Sequence, residues 1–265
     1  MACFSIPELS GSSESRMRMI RYGLIGACIL WSQLGLAQTN TCKNTAYLTF
    51  DTGNMAVAEY IAQVLKQQNI KATFFLANEK TKQGGYSLDD SWKGYWQARL
   101  QEGHRFGSHT YDHSYWVQDA GESDVLLRPQ FGKNAGKAIR FDQAQLCTEI
   151  SKVSTRFQEL TGKPIDPIWR APGGKTSPRL IAMGERCGYR HIGWSPSGFL
   201  GDELDSKRFP NSKLLEQASR GLKNGDIAIA HLGIWSREDP WAPAVLEPLI
   251  ENWKKRGFCF ALIPN

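Results

Sequence analysis

Short apolar, β-prone segments alternate with longer segments of helical spacing along most of this chain. The first predicted strand, 46–50, ends in a turn and is followed by 56–68, whose apolar positions recur at helical intervals. This alternation predicts parallel strands covered by helices, in an open sheet or a barrel. The other predicted strands are 72–77, 104–108, 165–170, 191–194, 226–230 and 258–263, and the other predicted helices are 92–101, 147–160, 178–187, 214–222 and 245–255.

One long polar segment, residues 114–143, interrupts the alternation and contains Gly, Asp and Lys. Loops that follow strands often carry the active site of α/β enzymes, so this segment is a candidate lid or substrate-binding loop. A surface insertion without a functional role is the alternative.

The N-terminal segment has the pattern of a secretory signal. Basic residues at 16, 18 and 21 precede an apolar run over 22–31, and a small-x-small cleavage site follows at 35–37. We therefore predict that 1–37 is an N-terminal extension with a signal peptide and that 38–265 is the catalytic domain, exported to the periplasm or cell envelope. An uncleaved membrane anchor is the alternative, and Met17 and Met19 are alternative starts.

Charge and hydropathy exclude two classes of partner. The chain has 32 basic and 26 acidic residues, and no Lys/Arg run offers a track for phosphates, so we expect no nucleic-acid partner. No stretch of 18 uncharged apolar residues occurs, so we expect no stable membrane span after signal cleavage. We expect a monomer.

Four of the six cysteines lie beyond residue 37. An even number is compatible with two disulfides in an oxidising compartment, although four cysteines allow three pairings and buried free thiols are an alternative. The chain has no CxxC pair, which argues against a cysteine zinc site. These residues are Cys42, Cys147, Cys187 and Cys259.

Ionisable side chains stand at the ends of four predicted strands, namely Asp51, His109, Arg170 and His231. The carboxyl ends of barrel strands meet at one rim, where such enzymes place their active sites. Each residue alone is compatible with capping or packing, but the four together predict an active site. His113 follows His109 at i+4, a spacing at which two imidazoles on one face of a helical turn can bind one divalent ion.

Five segments, in order, resemble the motifs of the polysaccharide deacetylase (NodB-homology) family. The resemblance covers 45–263 and implies a distorted (β/α)7 barrel related to the TIM barrel, in agreement with the seven predicted strands. Members of this family are metal-dependent amidohydrolases that remove acetyl groups from N- or O-acetylated glycans. The segments are TFDTG at 49–53, SHTYDH at 108–113, RAPGG at 170–174, WSPS at 194–197 and IAH at 229–231.

The resemblance also implies roles for the predicted site residues. Asp51 resembles the general base, and Arg170 resembles the group that orients it. His231 resembles the general acid that protonates the leaving amine. His109 and His113 resemble the pair that binds a divalent metal, expected to be zinc.

The remaining predicted site residues would contact the substrate. The backbone N–H of Gly173 would stabilise the developing oxyanion, and Trp194 and Ile229 would enclose the acetyl methyl group. Trp235 and Trp241 are candidates for stacking on sugar rings, with packing against the last helix as the alternative.

The sequence departs from the family pattern at three positions. Thr52 stands where the family has an aspartate that serves as the third metal ligand, and Asp112, the nearest candidate replacement, is expected to face away. Gly173 replaces an aromatic residue, which predicts a wider or reshaped cleft. Ser197 replaces the aspartate that tunes the acid histidine, and compensation by Asp202 is open.

We therefore predict an exported hydrolase of non-peptide carbon–nitrogen bonds that removes N-acetyl or formyl groups from an amino-sugar-containing glycan. One alternative is a glycan-binding relative without turnover, which Thr52 favours and which the retention of Asp51, Arg170 and His231 opposes. Another is a deformylase of a lipid-linked aminosugar. Peptidoglycan, a secreted polymer and a lipid-linked sugar are all open as substrates.

Overall fold

Strands and helices alternate along residues 42–264, which are the residues that the computed structural model describes. The predicted signal segment lies outside them, so that segment and the boundary at residue 38 stay predictions. The strands in this range are β1 (Asn44–Asp51), β2 (Thr73–Leu76), β3 (Arg105–Ser108), β4 (Tyr115–Ala120), β5 (Asp124–Arg128), β6 (Ile139–Phe141), β7 (Ile168–Trp169), β8 (Arg190–His191), β9 (Ile227–His231) and β10 (Phe258–Phe260). The α-helices are α1 (Ala58–Gln67), α2 (Lys93–Gln101), α3 (Gln143–Thr161), α4 (Pro178–Arg186), α5 (Asn211–Gly221) and α6 (Glu247–Lys255).

Seven of these strands form one curled parallel sheet. Its order is β10-β1-β2-β3-β7-β8, and β9 also pairs with β1. The segment after β8 reaches β9, where the N–H of Ser195 donates to the carbonyl of Ile227 at 3.1 Å. A Cβ at Gly198 would overlap that same carbonyl, so the close approach requires glycine. This distorted barrel confirms the predicted fold class.

The core lies between the sheet and the helices that cover it. On α1, the buried residues Ala58, Ile61 and Leu65 recur at helical spacing and face the sheet. Four phenylalanines continue the core from the sheet to α3, with neighbouring ring centroids 5.7, 5.8 and 4.5 Å apart. Burial of each such ring stabilises the fold by roughly 1.5–3 kcal/mol. They are Phe50, Phe74, Phe106 and Phe157.

The polar segment 114–143, for which we predicted a lid or substrate-binding loop or, alternatively, a surface insertion, has regular structure of its own. It forms a second sheet of three antiparallel strands, in the order β4-β5-β6. Val125, Leu127 and Phe141 are buried in a cluster that also contains residues of α3 and α4. A sheet of so few short strands needs an apolar face packed against other elements, and here α3 and α4 supply that packing.

Two disulfides are present, and they select one of the three cysteine pairings that the sequence left open. Cys42 pairs with Cys259, which ties the segment just before β1 to β10. Cys147 pairs with Cys187, which ties α3 to the end of α4. The alternative of free thiols is therefore wrong for these four cysteines. Within residues 42–264, no helix combines the length and the apolar composition that a membrane span needs.

Candidate active site

An open cavity of 390 Å³ lies where β1, β3 and β9 end, and its size is within the range of small-molecule sites. Eight of the predicted site residues line it. Arg170 lies behind its wall and contacts Asp51. The eight are Asp51, His109, His113, Gly173, Trp194, Ile229, His231 and Trp235.

Asp51 is buried at the end of β1, between a guanidinium and an imidazole. Its Oδ1 accepts a hydrogen bond from Arg170 at 2.8 Å, and its Oδ2 lies 3.3 Å from His109 Nε2. Burial alone would raise the pKa of Asp51, but the nearby Arg170, His109 and His231 outweigh that effect and hold it below its usual value. Asp51 is therefore a carboxylate at neutral pH.

Arg170 is fully buried, and its donors are all directed at fixed acceptors. Besides Asp51, it donates to Thr49 Oγ1 at 2.9 Å and to the carbonyl oxygens of Ile192 and Gly193, each at 3.1 Å. Four contacts leave the guanidinium little freedom, so it holds the Asp51 carboxylate in one orientation.

His109 and His113 do not lie on a helical turn, so that part of the prediction is wrong. They lie in a loop after β3, where Thr110 and His113 have left-handed φ values of 61° and 50°. The loop still brings the two rings together, with centroids 4.9 Å apart. His109 Nδ1 lies 2.9 Å from the carbonyl oxygen of Arg170, and burial lowers the pKa of His109 to about 4. The ring is therefore neutral, and donation from Nδ1 leaves the Nε2 lone pair free.

His231 stands at the end of β9, opposite Asp51 in the register of the adjacent strand. Its Nδ1 lies 3.1 Å from an oxygen of Asp202. Burial alone would lower the pKa of His231, but the Asp202 carboxylate, with help from Asp51 and Glu203, raises it to about 10. Asp202 therefore supplies the carboxylate that Ser197 lacks, and Ser197 instead donates a hydrogen bond to Asp226.

Tyr115 occupies the space beside Gly173. The backbone of Gly173 has a left-handed φ of 61°, and a Cβ there would lie only 2.6 Å from Tyr115 Cε1. The ring also meets the His113 ring edge to face at a centroid distance of 5.0 Å. Because Tyr115 lies where a side chain at 173 would extend, the cleft is reshaped on this side.

The tryptophans differ in exposure. Trp194 and Ile229 lie in the cavity wall. Trp235 is 57% exposed at the rim, as a sugar-stacking residue needs to be, whereas Trp241 is only 4% exposed and is a packing residue.

Several cavity residues were missed by the sequence analysis, and Glu79 is the most informative. It lies three residues after β2, so the strand-end rule that identified Asp51 could have found it. Its Oε1 accepts hydrogen bonds from Thr52 Oγ1 at 2.6 Å and from the N–H of Gly53 at 2.8 Å. Burial alone would raise the pKa of Glu79, but the nearby His113 and the hydrogen bond from Thr52 outweigh burial and hold this pKa below its usual value. The others are Tyr115, Gln130, Phe131, Phe199, Glu203, Leu204, Ile234 and Ser236.

The side chains at the site are of the chemical types that bind a divalent metal. His109 and His113 supply two imidazoles, and a carboxylate beside them would complete a set of ligands that zinc accepts. Asp112 does not line the cavity, because its carboxylate lies against Gly132. Within residues 42–264, no three His, Cys, Asp or Glu side chains are already arranged as a metal-binding group.

Comparisons with known proteins show what this chain is similar to. The family model described as polysaccharide deacetylase matches residues 38–192, more than half of the chain. A peptidoglycan-N-acetylglucosamine deacetylase of Bacillus cereus is 22% identical over 220 residues, which is 82% of this chain and 84% of that protein.

Two solved structures share the fold. A family 4 carbohydrate esterase from Streptomyces lividans, in complex with acetate, aligns with a TM-score of 0.59 and 20% identity over 84% of this chain and 95% of that one. A CE4 family pseudoenzyme from Bacillus anthracis aligns with a TM-score of 0.59 and 17% identity over 83% of this chain and 64% of that one. This chain thus spans less than two thirds of the pseudoenzyme.

Proposed function

The chain belongs to the polysaccharide deacetylase family, and from this premise we propose that it is a hydrolase that removes N-acetyl groups from an amino-sugar-containing glycan. One observation carries the proposal. A carboxylate held by Arg170 and an imidazolium held by Asp202 face one cavity from adjacent strands. These two groups are Asp51 and His231, and they suit a reaction that needs a base and an acid.

Asp51 is the general base. Its carboxylate takes a proton from water, whose oxygen then forms a bond to the amide carbon. The fixed Arg170 contact directs one carboxylate oxygen, which leaves the other turned toward His109 and the cavity.

His231 is the general acid. An amide nitrogen leaves only when it receives a proton, and His231 carries one at neutral pH because its pKa is raised to about 10. Cleavage of the carbon–nitrogen bond with transfer of this proton gives the free amine and acetate. Asp202 keeps the ring oriented through Nδ1, so that Nε2 faces the cavity.

The other cavity residues bind and orient the substrate. The N–H of Gly173 is the proposed donor to the developing oxyanion. Trp194 and Ile229 enclose the acetyl methyl group, and the exposed ring of Trp235 stacks on a sugar.

His109 and His113 would hold a divalent metal, proposed to be zinc. Such a metal, when bound, polarises the carbonyl oxygen and lowers the pKa of its water. The Nδ1 contact of His109 to the Arg170 carbonyl orients the ring for that purpose.

We also propose that the protein acts outside the cytoplasm. The pattern of residues 1–37 supports export, and two disulfides between distant cysteines suit an oxidising compartment. The name of the Bacillus cereus relative refers to N-acetylglucosamine in peptidoglycan, which supports an amino-sugar substrate in the cell envelope.

The direct test is release of acetate, with formate measured in parallel, from N-acetylated chito-oligosaccharides by the full chain. We expect Asp51→Asn to lower the rate by about 100- to 10,000-fold, since it removes the base while keeping the shape of the side chain. Glu122→Gln, on an exposed turn away from the cavity, is the matched control and should keep the wild-type rate. Full turnover by Asp51→Asn would contradict the base assignment.

A glycan-binding relative without turnover is the second candidate. Thr52 favours it, as does the absence of a preformed three-ligand group within residues 42–264. It predicts that the wild-type chain binds chito-oligosaccharide, measured by calorimetry, but releases neither acetate nor formate from any glycan.

A further inference from the structure

Thr52 and Glu79 form a buried hydrogen-bonded pair at the base of the cavity. Thr52 is fully buried, and Glu79 is only 8% exposed. The Thr52 hydroxyl donates to Glu79 Oε1 at 2.6 Å and accepts from the N–H of Ala77 at 3.1 Å. The single O–H donor of Thr52 is thus directed at the carboxylate beside it, and the N–H of Ala77 fixes the position of the hydroxyl oxygen.

The backbone of Glu79 is fixed as firmly as its side chain. Its N–H donates to Ser87 Oγ at 3.0 Å, and its carbonyl accepts from the N–H of Ser87 at 2.8 Å. The N–H of Gly53 also donates to Oε1, at 2.8 Å. A buried carboxylate is costly unless it is paired, hydrogen-bonded or bound to a metal, so this support is expected only where the charge has a use.

One oxygen of this carboxylate is left over. Both hydrogen bonds to the Glu79 side chain end on Oε1, and within residues 42–264 none ends on Oε2. Glu79, His109 and His113 all line the same cavity. A carboxylate oxygen beside two imidazoles is the third donor that zinc sites use.

We propose that Glu79 is the third protein ligand of the divalent metal, together with His109 and His113, and that Thr52 is its positioning residue. The inference rests on the proposed function, because it takes the two histidines as metal ligands. It explains how a chain with a threonine at 52 supplies the missing negative charge. A longer side chain comes from the loop after the neighbouring strand β2, and the Thr52 hydroxyl fixes its first oxygen so that the second is free to bind.

The test is a calorimetric titration of the metal-free full chain with Zn²⁺, which measures the affinity for the metal. Glu79→Gln keeps the size of the side chain and an acceptor for Thr52, but it removes the charge. We expect its Zn²⁺ affinity to fall by more than the roughly 10- to 100-fold that loss of an outer-shell partner costs, whereas Thr52→Val should fall within that range. Glu122→Gln, which removes an exposed carboxylate away from the cavity, should leave the affinity unchanged.

A second variant distinguishes loss of the metal ligand from misfolding of Glu79→Gln. Thr52→Asp combined with Glu79→Gln moves the carboxylate to position 52, and we expect it to recover most of the Zn²⁺ affinity. Circular dichroism of each metal-free variant, through thermal unfolding, reports whether the fold is kept. A double variant that folds and binds no better than Glu79→Gln overturns the inference.

The outcome separates this inference from the proposed function. If His113→Gln loses Zn²⁺ binding while Glu79→Gln binds like the wild type, Glu79 is not a ligand and the proposed function stands. If His109→Gln and His113→Gln both bind like the wild type, the histidine pair is not a metal site, and both the metal proposal and the inference about Glu79 are overturned.

Discussion

At the scale of single residues, the contact between Asp202 and His231 sets the protonation state on which the proposed reaction depends. Asp202 lies on the loop after the WSPS segment and is only 3% exposed, and its carboxylate contacts the imidazole of His231. The charged groups that face His231 are Asp202, Asp51 and Glu203, all negative. Each of them stabilises the imidazolium, and Asp202 does so most strongly.

Asp202→Asn should therefore shift the alkaline side of the pH–rate profile downward. The acid must be protonated, so activity is lost as the pH rises through the pKa of His231, which is about 10. Removal of an opposite charge in contact lowers such a pKa by about 1–3 units. The measurement is the rate of acetate release from about pH 6 to about pH 10, expressed relative to the rate at the optimum.

Glu203→Gln is the matched comparison for this shift. The Glu203 carboxylate lies 3.9 Å from His231 Nε2 and is more exposed than the Asp202 carboxylate. Its removal should therefore shift the pH–rate profile less than Asp202→Asn does. An Asp202→Asn profile that coincides with the wild-type profile would show that Asp202 does not set the pKa of the acid.

At the scale of elements, His104 couples the start of β2 to the start of β3. Its Nδ1 accepts the N–H of Ala72 at 3.0 Å, and its ring meets Phe74 edge to face. An imidazole that accepts at Nδ1 inside an apolar cluster is neutral. Burial accordingly lowers the pKa of His104 to about 4.

This contact predicts that acid weakens the fold. The unfolded chain takes up a proton near pH 6.5 and the folded chain only near pH 4, so the contribution of His104 is complete above about 6.5 and is lost as the pH falls toward 4. Between pH 7 and pH 5 the loss should be about 2 kcal/mol. Denaturant unfolding at both pH values measures it.

His104→Asn is the variant that isolates this contribution, because its amide oxygen can still accept the N–H of Ala72 and does not titrate. We expect the difference in unfolding free energy between the wild type and His104→Asn to shrink on going from pH 7 to pH 5. An equal pH dependence of both proteins would contradict the assignment. His191, whose pKa is also lowered to about 4 by burial, is present in both and cancels.

The helices and strands also show which elements can be predicted from the local sequence pattern. The helices and the parallel strands were predictable, since periodic apolar faces and buried β-prone runs can be read from neighbours in sequence. Helix α3 begins at Gln143, four residues before the predicted start, because Asp142 and Gln145 form a capping box there. The sheet of β4, β5 and β6 was not predicted, because its strands are only 6, 5 and 3 residues long and lie among polar and turn-forming residues.

At the scale of the whole molecule, the two disulfides close loops of very different length. Cys147–Cys187 spans 40 residues, and Cys42–Cys259 spans 217. A crosslink restricts the unfolded chain more as its loop grows, although the dependence is logarithmic. The longer crosslink joins the two ends of the described chain, where β10 pairs with the start of β1.

Replacing Cys147 and Cys187 together by serine should lower the unfolding free energy by about 2–4 kcal/mol. Urea unfolding of the full oxidised chain measures this, with Cys42→Ser/Cys259→Ser as the companion variant. The companion should lose at least as much, because its loop is longer. Unchanged stability of both variants would contradict the structural role of the crosslinks.

The sequence by itself determined the fold class and the residues at the strand ends. Periodicity predicts parallel strands covered by helices, and the resemblance to the family implies that they form a barrel. The topology of a parallel barrel then brings Asp51, His109 and His231 to one rim without any knowledge of side-chain positions. That inference works because it depends only on the order of elements along the chain.

The tertiary structure alone decided the partners of those residues. Asp202 meets His231 and Glu79 meets Thr52 across 29 and 27 residues of sequence. The pairing of the four cysteines and the position of Tyr115 beside Gly173 were decided in the same way. Contacts of this kind depend on how far one loop extends toward another, and local propensity carries no information on that distance, so only the packed chain specifies them.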